Sequence, residues 1–215
     1  MAEPSENIFF FIPNLIGYGR IALALLSFYW MPTDHSRAFW CYMLSAFLDA
    51  WDGHAARYFN QSTKFGALLD QLTDRCGTMC LLVTLSHFYP TYMFWFQVSM
   101  VIDIASHWLH TQVSLMMGKT THKDIKGNAL LQLYYSSKPF LFTMCVANEI
   151  FYMALYMVNF VEGPRVGPLP FGLFRLCAYI TFPLAIFKSI LALIQMYEAA
   201  KDCARIDEEE RAKNS

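Results

Sequence analysis

Charged side chains are scarce in this chain of 215 residues. Asp, Glu, Lys and Arg make up 15% of the sequence, and the formal net charge is −1. A protein that binds nucleic acid needs a basic surface, and no basic patch with interleaved aromatic residues is present here. Hydrophobic residues reach 56%, more than ordinary soluble domains carry. The composition therefore excludes a nucleic-acid partner and predicts a membrane protein.

The cysteine patterns of disulfide-rich and zinc-binding proteins are also missing. Six cysteines are scattered through mostly apolar segments, with no CxxC pair. We therefore expect reduced, packed thiols. The opening residues, MAEPSEN, are acidic and lack the basic flank of a signal peptide, so we expect the first apolar run to be retained as a membrane span.

Six stretches of the sequence are long and apolar enough to cross a bilayer as helices, which takes about 20 residues each. They predict an all-α, polytopic membrane protein with six transmembrane helices, in which one domain covers residues 1–215. We also expect a short surface helix at residues 129–135 and a solvated, charged cytoplasmic tail from about residue 201 to 215. The predicted spans are residues 8–31, 38–58, 64–88, 92–117, 140–161 and 173–197.

The beginning of the first stretch is too polar to face lipid on all sides. Pro13, Asn14 and Arg20 lie within it. One interpretation is a short N-terminal interfacial segment that leads into the span. The other is a simple helix start from which the side chain of Arg20 snorkels to the membrane surface.

The distribution of Lys and Arg predicts the orientation of the spans. The connections after the first, third and fifth spans hold only Arg37 and Arg165, with Arg175 near the membrane. The basic residues on the other side are Arg57, Lys64, Lys119, Lys123, Lys126, Lys138, Lys201, Arg205, Arg211 and Lys213. Both termini are therefore expected to be cytoplasmic.

Four aspartates lie in two pairs near the cytoplasmic ends of the second and third spans. Asp49 and Asp52 are three residues apart, and Asp70 and Asp74 are four apart, so each pair lies on one face of its helix. We expect the four carboxylates to converge with almost no basic side chain between them, which repulsion forbids unless protons or cations enter. Two divalent ions would balance the charge, and oxygen ligands favour Mg²⁺ or Mn²⁺. Protonation, or pairing with bases, is the alternative.

The aspartates belong to a longer motif, DxxDGxxARx8GxxxDxxxD. It is matched without a departure by Asp49, Asp52, Gly53, Ala56, Arg57, Gly66, Asp70 and Asp74. Through this motif the sequence resembles the CDP-alcohol phosphotransferases. The stretches NIFFFIPNLIGYGRI, DIASHWLH and YYSSKP extend the resemblance over nearly the whole chain, toward the eukaryotic branch of that family in which inositol is the acceptor.

The resemblance implies transfer of the phosphatidyl group from CDP-diacylglycerol to myo-inositol, with release of CMP. It implies that the four aspartates bind two metal ions and that Asp74 also accepts the proton. Gly53, Arg57 and Thr63 match contacts to CDP-diacylglycerol, and Asn14 lies beside the nucleotide site. A homodimer in the endoplasmic reticulum membrane, with a cytoplasmic active site, is implied as well.

The residue types suit these roles. At Gly53 the absence of a side chain lets a pyrophosphate approach the backbone, or lets helices pack closely. The guanidinium of Arg57 can bind a phosphate through two hydrogen bonds. Thr63 can cap the third span while donating to phosphate. Gly66 is a further candidate for a contact to the substrates.

A site for the acceptor is less clearly marked. Asp103, His107 and His110 share a face of the fourth span. This stripe either hydrogen-bonds a neutral polyol or satisfies contacts between helices, and a zinc site is the weaker alternative because no catalytic role for zinc is evident. Lys138 and Arg175 are further candidates for acceptor contacts.

Two other functions fit parts of the sequence. An enzyme of the phosphatidylglycerophosphate synthase type has the same motif, but its dianionic acceptor requires a basic pocket beyond Arg57. A divalent cation transporter also places aspartates in a helical bundle. A transporter would spread polar residues through the bilayer, often with internal repeats, whereas the acids here collect at one surface.

Overall fold

The computed structural model describes residues 7–118 and 129–214, and these residues form helices and connections without a strand. Short 3-10 helices at Ile8–Phe10 and Pro90–Tyr92 precede the first and fourth α-helices. The α-helices of the described residues are α1 (Ile12–Trp30), α2 (His35–Tyr58), α3 (Lys64–Phe88), α4 (Met93–Met116), α5 (Ala129–Ser136), α6 (Lys138–Val158) and α7 (Leu173–Lys213).

The helix bounds follow the predicted spans closely. The bounds of α3 are confirmed at both ends, and α5 forms where the surface helix was expected. α2 begins three residues earlier than predicted, because the carboxylate of Asp34 caps it by accepting from the backbone N–H of Arg37. α7 continues beyond Tyr197 to Lys213, so the charged tail extends the last helix. Lys119, Lys123 and Lys126, used to predict the orientation, lie outside the described residues, as do residues 1–6.

The chain divides into two compact units, residues 1–84 and 85–215. In the first unit α1 packs along α2 through small and hydroxyl side chains. Ser27 donates to the carbonyl oxygen of Ala38 at 2.8 Å, and Ser45 donates to that of Arg20 at 3.0 Å. Side chains of this size allow close approach of helix backbones in membrane proteins. The backbone of Arg20 is thereby held against α2.

In the second unit α7 packs against α4 and α6. α5 contributes to an apolar core in which Leu131, Tyr134, Met144 and Leu191 are buried. The same unit contains a charged contact between helices, which joins Lys188 of α7 to Asp103 of α4.

Large apolar side chains cover the outer faces of the helices. Trp40, Trp51, Trp95 and Trp108 are all exposed, with many Leu, Ile and Phe side chains around them. Soluble proteins rarely expose apolar surface of this extent. Among the described helices, α6 and α7 each contain a window long and apolar enough to cross a bilayer. These are features of an integral membrane protein.

Candidate active site

The turn between α2 and α3 aligns the two helices that carry the aspartates. Asn60 adopts a left-handed backbone conformation with φ of 54°, which ends α2. Thr63 then caps α3, as predicted, because its hydroxyl oxygen accepts from the backbone N–H of Gly66 at 3.0 Å. The side chain of Gln61 accepts from the backbone N–H of Ile12 at 3.0 Å and ties this turn to the start of α1.

The four aspartates converge as the sequence predicts. One carboxylate oxygen each from Asp49, Asp70 and Asp74 lies within 4.8 Å of the other two. The side chain of Asp52 is 12% exposed, against 37–46% for the other three, and lies deeper. Hard oxygen donors this close together, with no nitrogen or sulfur ligand in the group, suit Mg²⁺ or Mn²⁺.

Arg20 lies at the centre of this cluster, so the prediction that almost no basic side chain would separate the aspartates is wrong. Its Nη1 is 2.6 Å from Asp52 and 2.7 Å from Asp70. Its Nη2 is 2.6 Å from Asp49 and 2.7 Å from Asp74. The side chain is 2% exposed and therefore does not snorkel to the surface. Nη2 of Arg75 on α3 is 3.8 Å from the carboxylate of Asp74, so the cluster already contacts two cationic groups.

Sequence reasoning missed this role of Arg20 although a signal was present. An arginine inside an apolar span must find an acidic or carbonyl partner within the protein, and no acid is near it in α1. The aspartates of α2 and α3 are the partners that it reaches.

A cavity of about 190 Å³ adjoins the aspartates. It is built from α1, α2, α3 and the turn between α2 and α3, and two of the four aspartates line it. The sequence-predicted site residues that line it are Asn14, Asp52, Gly53, Arg57, Thr63, Gly66 and Asp70. Residues that are distant in sequence but predicted to contact one substrate therefore share one cavity.

The two glycines that the sequence predicts for the site line this cavity, and at one of them a side chain would not fit. A Cβ at Gly66 would lie 2.9 Å from Oδ1 of Asn14 and 3.2 Å from Oγ1 of Thr63, so α3 approaches α1 too closely for a larger residue. Asn14 is 1% exposed, and its amide donates to the carbonyl oxygen of Ile8 at 2.6 Å. A Cβ at Gly53 would lie 3.5 Å from Nη1 of Arg57, an ordinary contact.

The predicted acceptor residues lie in the second unit and take part in contacts there. Nζ of Lys188 on α7 is 4.0 Å from the carboxylate of Asp103 on α4, and Nδ1 of His107 is 2.7 Å from the backbone oxygen of Asp103. His110 stacks on Tyr135 of α5, with ring centroids 6.3 Å apart. The interpretation of this stripe as contacts between helices fits these neighbours.

Two further candidates occupy the ends of helices in the same unit. Lys138 is the exposed first residue of α6. Arg175, near the start of α7, forms an ion pair through two of its nitrogens with Glu162 in the preceding connection.

Comparison with known proteins decides the family. Residues 10–200 match the model of the CDP-alcohol phosphatidyltransferase family. The chain belongs to that family. The family uses a divalent metal, in agreement with the donor set of the aspartate cluster.

Relatives of this family match the chain over nearly its full length. It is 54% identical to the CDP-diacylglycerol–inositol 3-phosphatidyltransferase of Rattus norvegicus and 52% identical to that of Homo sapiens, with 98% of this chain and 99% of each relative covered. The enzyme of the same name from Schizosaccharomyces pombe is 39% identical, with 97% of this chain and 95% of the relative covered. No solved structure matches the chain.

Proposed function

We propose that this protein transfers the phosphatidyl group of CDP-diacylglycerol to myo-inositol and releases CMP. The observation that carries the proposal is the identity of 52–54% over 98% of the chain to the CDP-diacylglycerol–inositol 3-phosphatidyltransferases of three mammals. The convergence of the family motif beside one cavity supports it, because the motif residues then face a common substrate.

In this proposal Asp49, Asp52, Asp70 and Asp74 hold two divalent ions, Mg²⁺ or Mn²⁺. When bound, such ions neutralise a pyrophosphate and stabilise the departing CMP. Asp74 also accepts the proton of the attacking inositol hydroxyl. Its side chain is 37% exposed, which leaves the carboxylate accessible to a substrate.

The cavity beside the aspartates binds the nucleotide end of the lipid in this proposal. Gly53 leaves room for the pyrophosphate at the backbone, and the guanidinium of Arg57 binds a phosphate oxygen. Thr63 and Gly66 present the start of α3, where backbone N–H groups favour an anion. Asn14 closes the α1 side.

The phosphatidyl group passes to inositol in a single in-line step. A covalent intermediate would need an activated nucleophile next to a base. The hydroxyl groups among the lining residues are those of Ser62 and Thr63. Ser62 donates to the backbone oxygen of Ala56, and Thr63 caps α3, so neither is arranged as a nucleophile.

A neutral acceptor suits the charge of the site better than a dianion. Glycerol 3-phosphate would need desolvated positive partners. Arg20 is buried at the cluster, but all four of its contacts are to carboxylates, which outnumber it. The hydroxyls of inositol need only matching donors and acceptors.

We further propose that α1, α2, α3, α4, α6 and the first 25 residues of α7 each cross the membrane, within a single domain of residues 1–215. At 1.5 Å per residue, helices of 19–25 residues are about 28–38 Å long, close to the roughly 30 Å of a hydrocarbon core. Both termini and the active site are placed in the cytoplasm, the membrane is that of the endoplasmic reticulum, and the enzyme works as a homodimer.

One assay tests the proposed reaction. The purified protein in lipid nanodiscs, supplied with CDP-diacylglycerol and Mg²⁺ or Mn²⁺, should release CMP when myo-inositol is added and form phosphatidylinositol. Parallel reactions with glycerol 3-phosphate, choline or serine should give little product. Saturable transfer to glycerol 3-phosphate with inositol inert would overturn the choice of acceptor, and CMP release with no added alcohol would indicate hydrolysis instead.

A further inference from the structure

The guanidinium of Arg20 is almost fully committed to the aspartates. It has five N–H donors, and Nη1 and Nη2 together contact four separate carboxylates at 2.6–2.7 Å. Nε is buried without a hydrogen-bond partner. Ser45 fixes the backbone of the same residue from α2. One side chain of α1 therefore joins the two helices that carry the acids.

The charge of the cluster is not balanced by this arrangement. Nη2 of Arg75 on α3 lies 3.8 Å from the carboxylate of Asp74, so four ionised carboxylates and two guanidinium groups leave a formal charge of −2, which is unfavourable in an apolar bundle. Two divalent ions would change this value to +2, which favours an anionic pyrophosphate. A divalent ion and the guanidinium repel each other, and Mg²⁺ requires its oxygen ligands at about 2.0–2.1 Å. The divalent ion and the guanidinium of Arg20 therefore cannot contact all four carboxylates at the same time.

We propose that Arg20 is a built-in counter-ion that holds the four aspartates together while no divalent ion is bound, and that it gives up part of its contacts when the ion enters. This inference rests on the proposed function only in taking the aspartate cluster as the metal site. Arg20 is thus a positioning residue: it preserves the convergent geometry that the ion later uses.

The test compares thermal unfolding with and without metal. For the variant Arg20→Met in EDTA, the melting temperature should fall by about 10 °C, because the largely buried carboxylate of Asp52 and the three acids beside it lose the guanidinium that they share. Saturating Mn²⁺ should recover at least half of that loss. The variant should also bind Mn²⁺ more tightly than the wild type in a titration followed by electron paramagnetic resonance, because a competing cation is gone.

Two further variants separate charge compensation from packing. The control is Arg175→Met, which removes an arginine that is paired with Glu162 and lies outside the aspartate cluster. Any fall in its melting temperature should be equal with and without Mn²⁺. The double variant Arg20→Met with Asp70→Asn should melt higher in EDTA than Arg20→Met alone, because one repelling charge is removed. If the single variant fails to fold, the double variant should recover a folded protein that melts cooperatively.

Equal melting losses for Arg20→Met with and without Mn²⁺, weaker Mn²⁺ binding by that variant, or no rescue by Asp70→Asn would each overturn the inference. Absence of Mn²⁺ binding by the wild type would overturn it as well. If inositol transfer holds while the melting losses are equal, the inference fails and the proposed function stands. If the melting coupling holds without inositol transfer, the proposed function fails and the inference stands.

Discussion

Replacing Gly66 with Ala should damage the cavity far more than the fold. The new Cβ would lie 2.9 Å from Oδ1 of Asn14 and 3.2 Å from Oγ1 of Thr63. The amide of Asn14 is held by its hydrogen bond to the carbonyl oxygen of Ile8, so that side chain cannot retreat freely. The added methyl group must therefore displace a cavity-lining residue or push α3 away from α1.

The expected loss of stability is moderate. Overpacking costs about 1–3 kcal/mol, and a weakened Thr63 cap costs about 1 kcal/mol more. The better helix propensity of Ala returns up to about 1 kcal/mol. A net loss of about 2 kcal/mol corresponds to a fall of roughly 4–8 °C in melting temperature for a chain of this size. Turnover should fall on the order of 100-fold, because a misplacement of about 1 Å has an effect of that order.

A matched control is available on α1. A Cβ at Gly19 would meet nothing within 4 Å, so Gly19→Ala should keep its activity and melt at the same temperature or slightly higher. Both variants should be measured for CMP release, melting temperature and Mn²⁺ binding, and Gly66→Ala should still bind Mn²⁺ because no aspartate is touched. Full activity of Gly66→Ala, with a melting temperature equal to that of Gly19→Ala, would refute the reasoning.

Three other predictions follow from the proposed site and topology. Asp70→Asn should abolish CMP release with little change in melting, whereas Asp207→Asn in the exposed tail should have no effect; near-normal turnover of the first variant would remove that carboxylate from the essential ligands. A membrane-impermeant amine label should reach Lys64 and Lys213 from the cytosolic side, and labelling of the tail from the lumen would reverse the orientation. Lys188→Met should lower the melting temperature by about 10 °C, because its partly buried aspartate partner on α4 loses a counter-charge; an unchanged melting curve would show that this contact does not stabilise the second unit.

Much of the site could be predicted because its chemistry is local in sequence. Pairs three and four residues apart must share a helix face, and a polar turn between two spans must bring the spans side by side. These two conditions are nearly enough to predict that Asp49 and Asp52 converge with Asp70 and Asp74. The start of α3 could be predicted equally well, because a threonine just before an apolar helical run is a typical cap.

The remaining features depend on which faces of distant helices meet. Spacing alone does not show that α1 turns Arg20 toward the aspartates 29 to 54 positions later in the chain. Nor does it show that α5 places Tyr135 against His110. Tertiary contacts of this kind are decided by packing, not by periodicity.

α7, which contains Pro183, continues as a helix from the proposed last span through the charged tail to Lys213. Its 41 residues span about 62 Å, roughly twice the thickness of a hydrocarbon core. With residues 173–197 inside the bilayer as proposed, the last 16 residues project about 24 Å beyond it. A fluorophore attached at position 213 would therefore lie about 24 Å above the membrane, and energy transfer to a dye in the headgroup layer would measure that height directly.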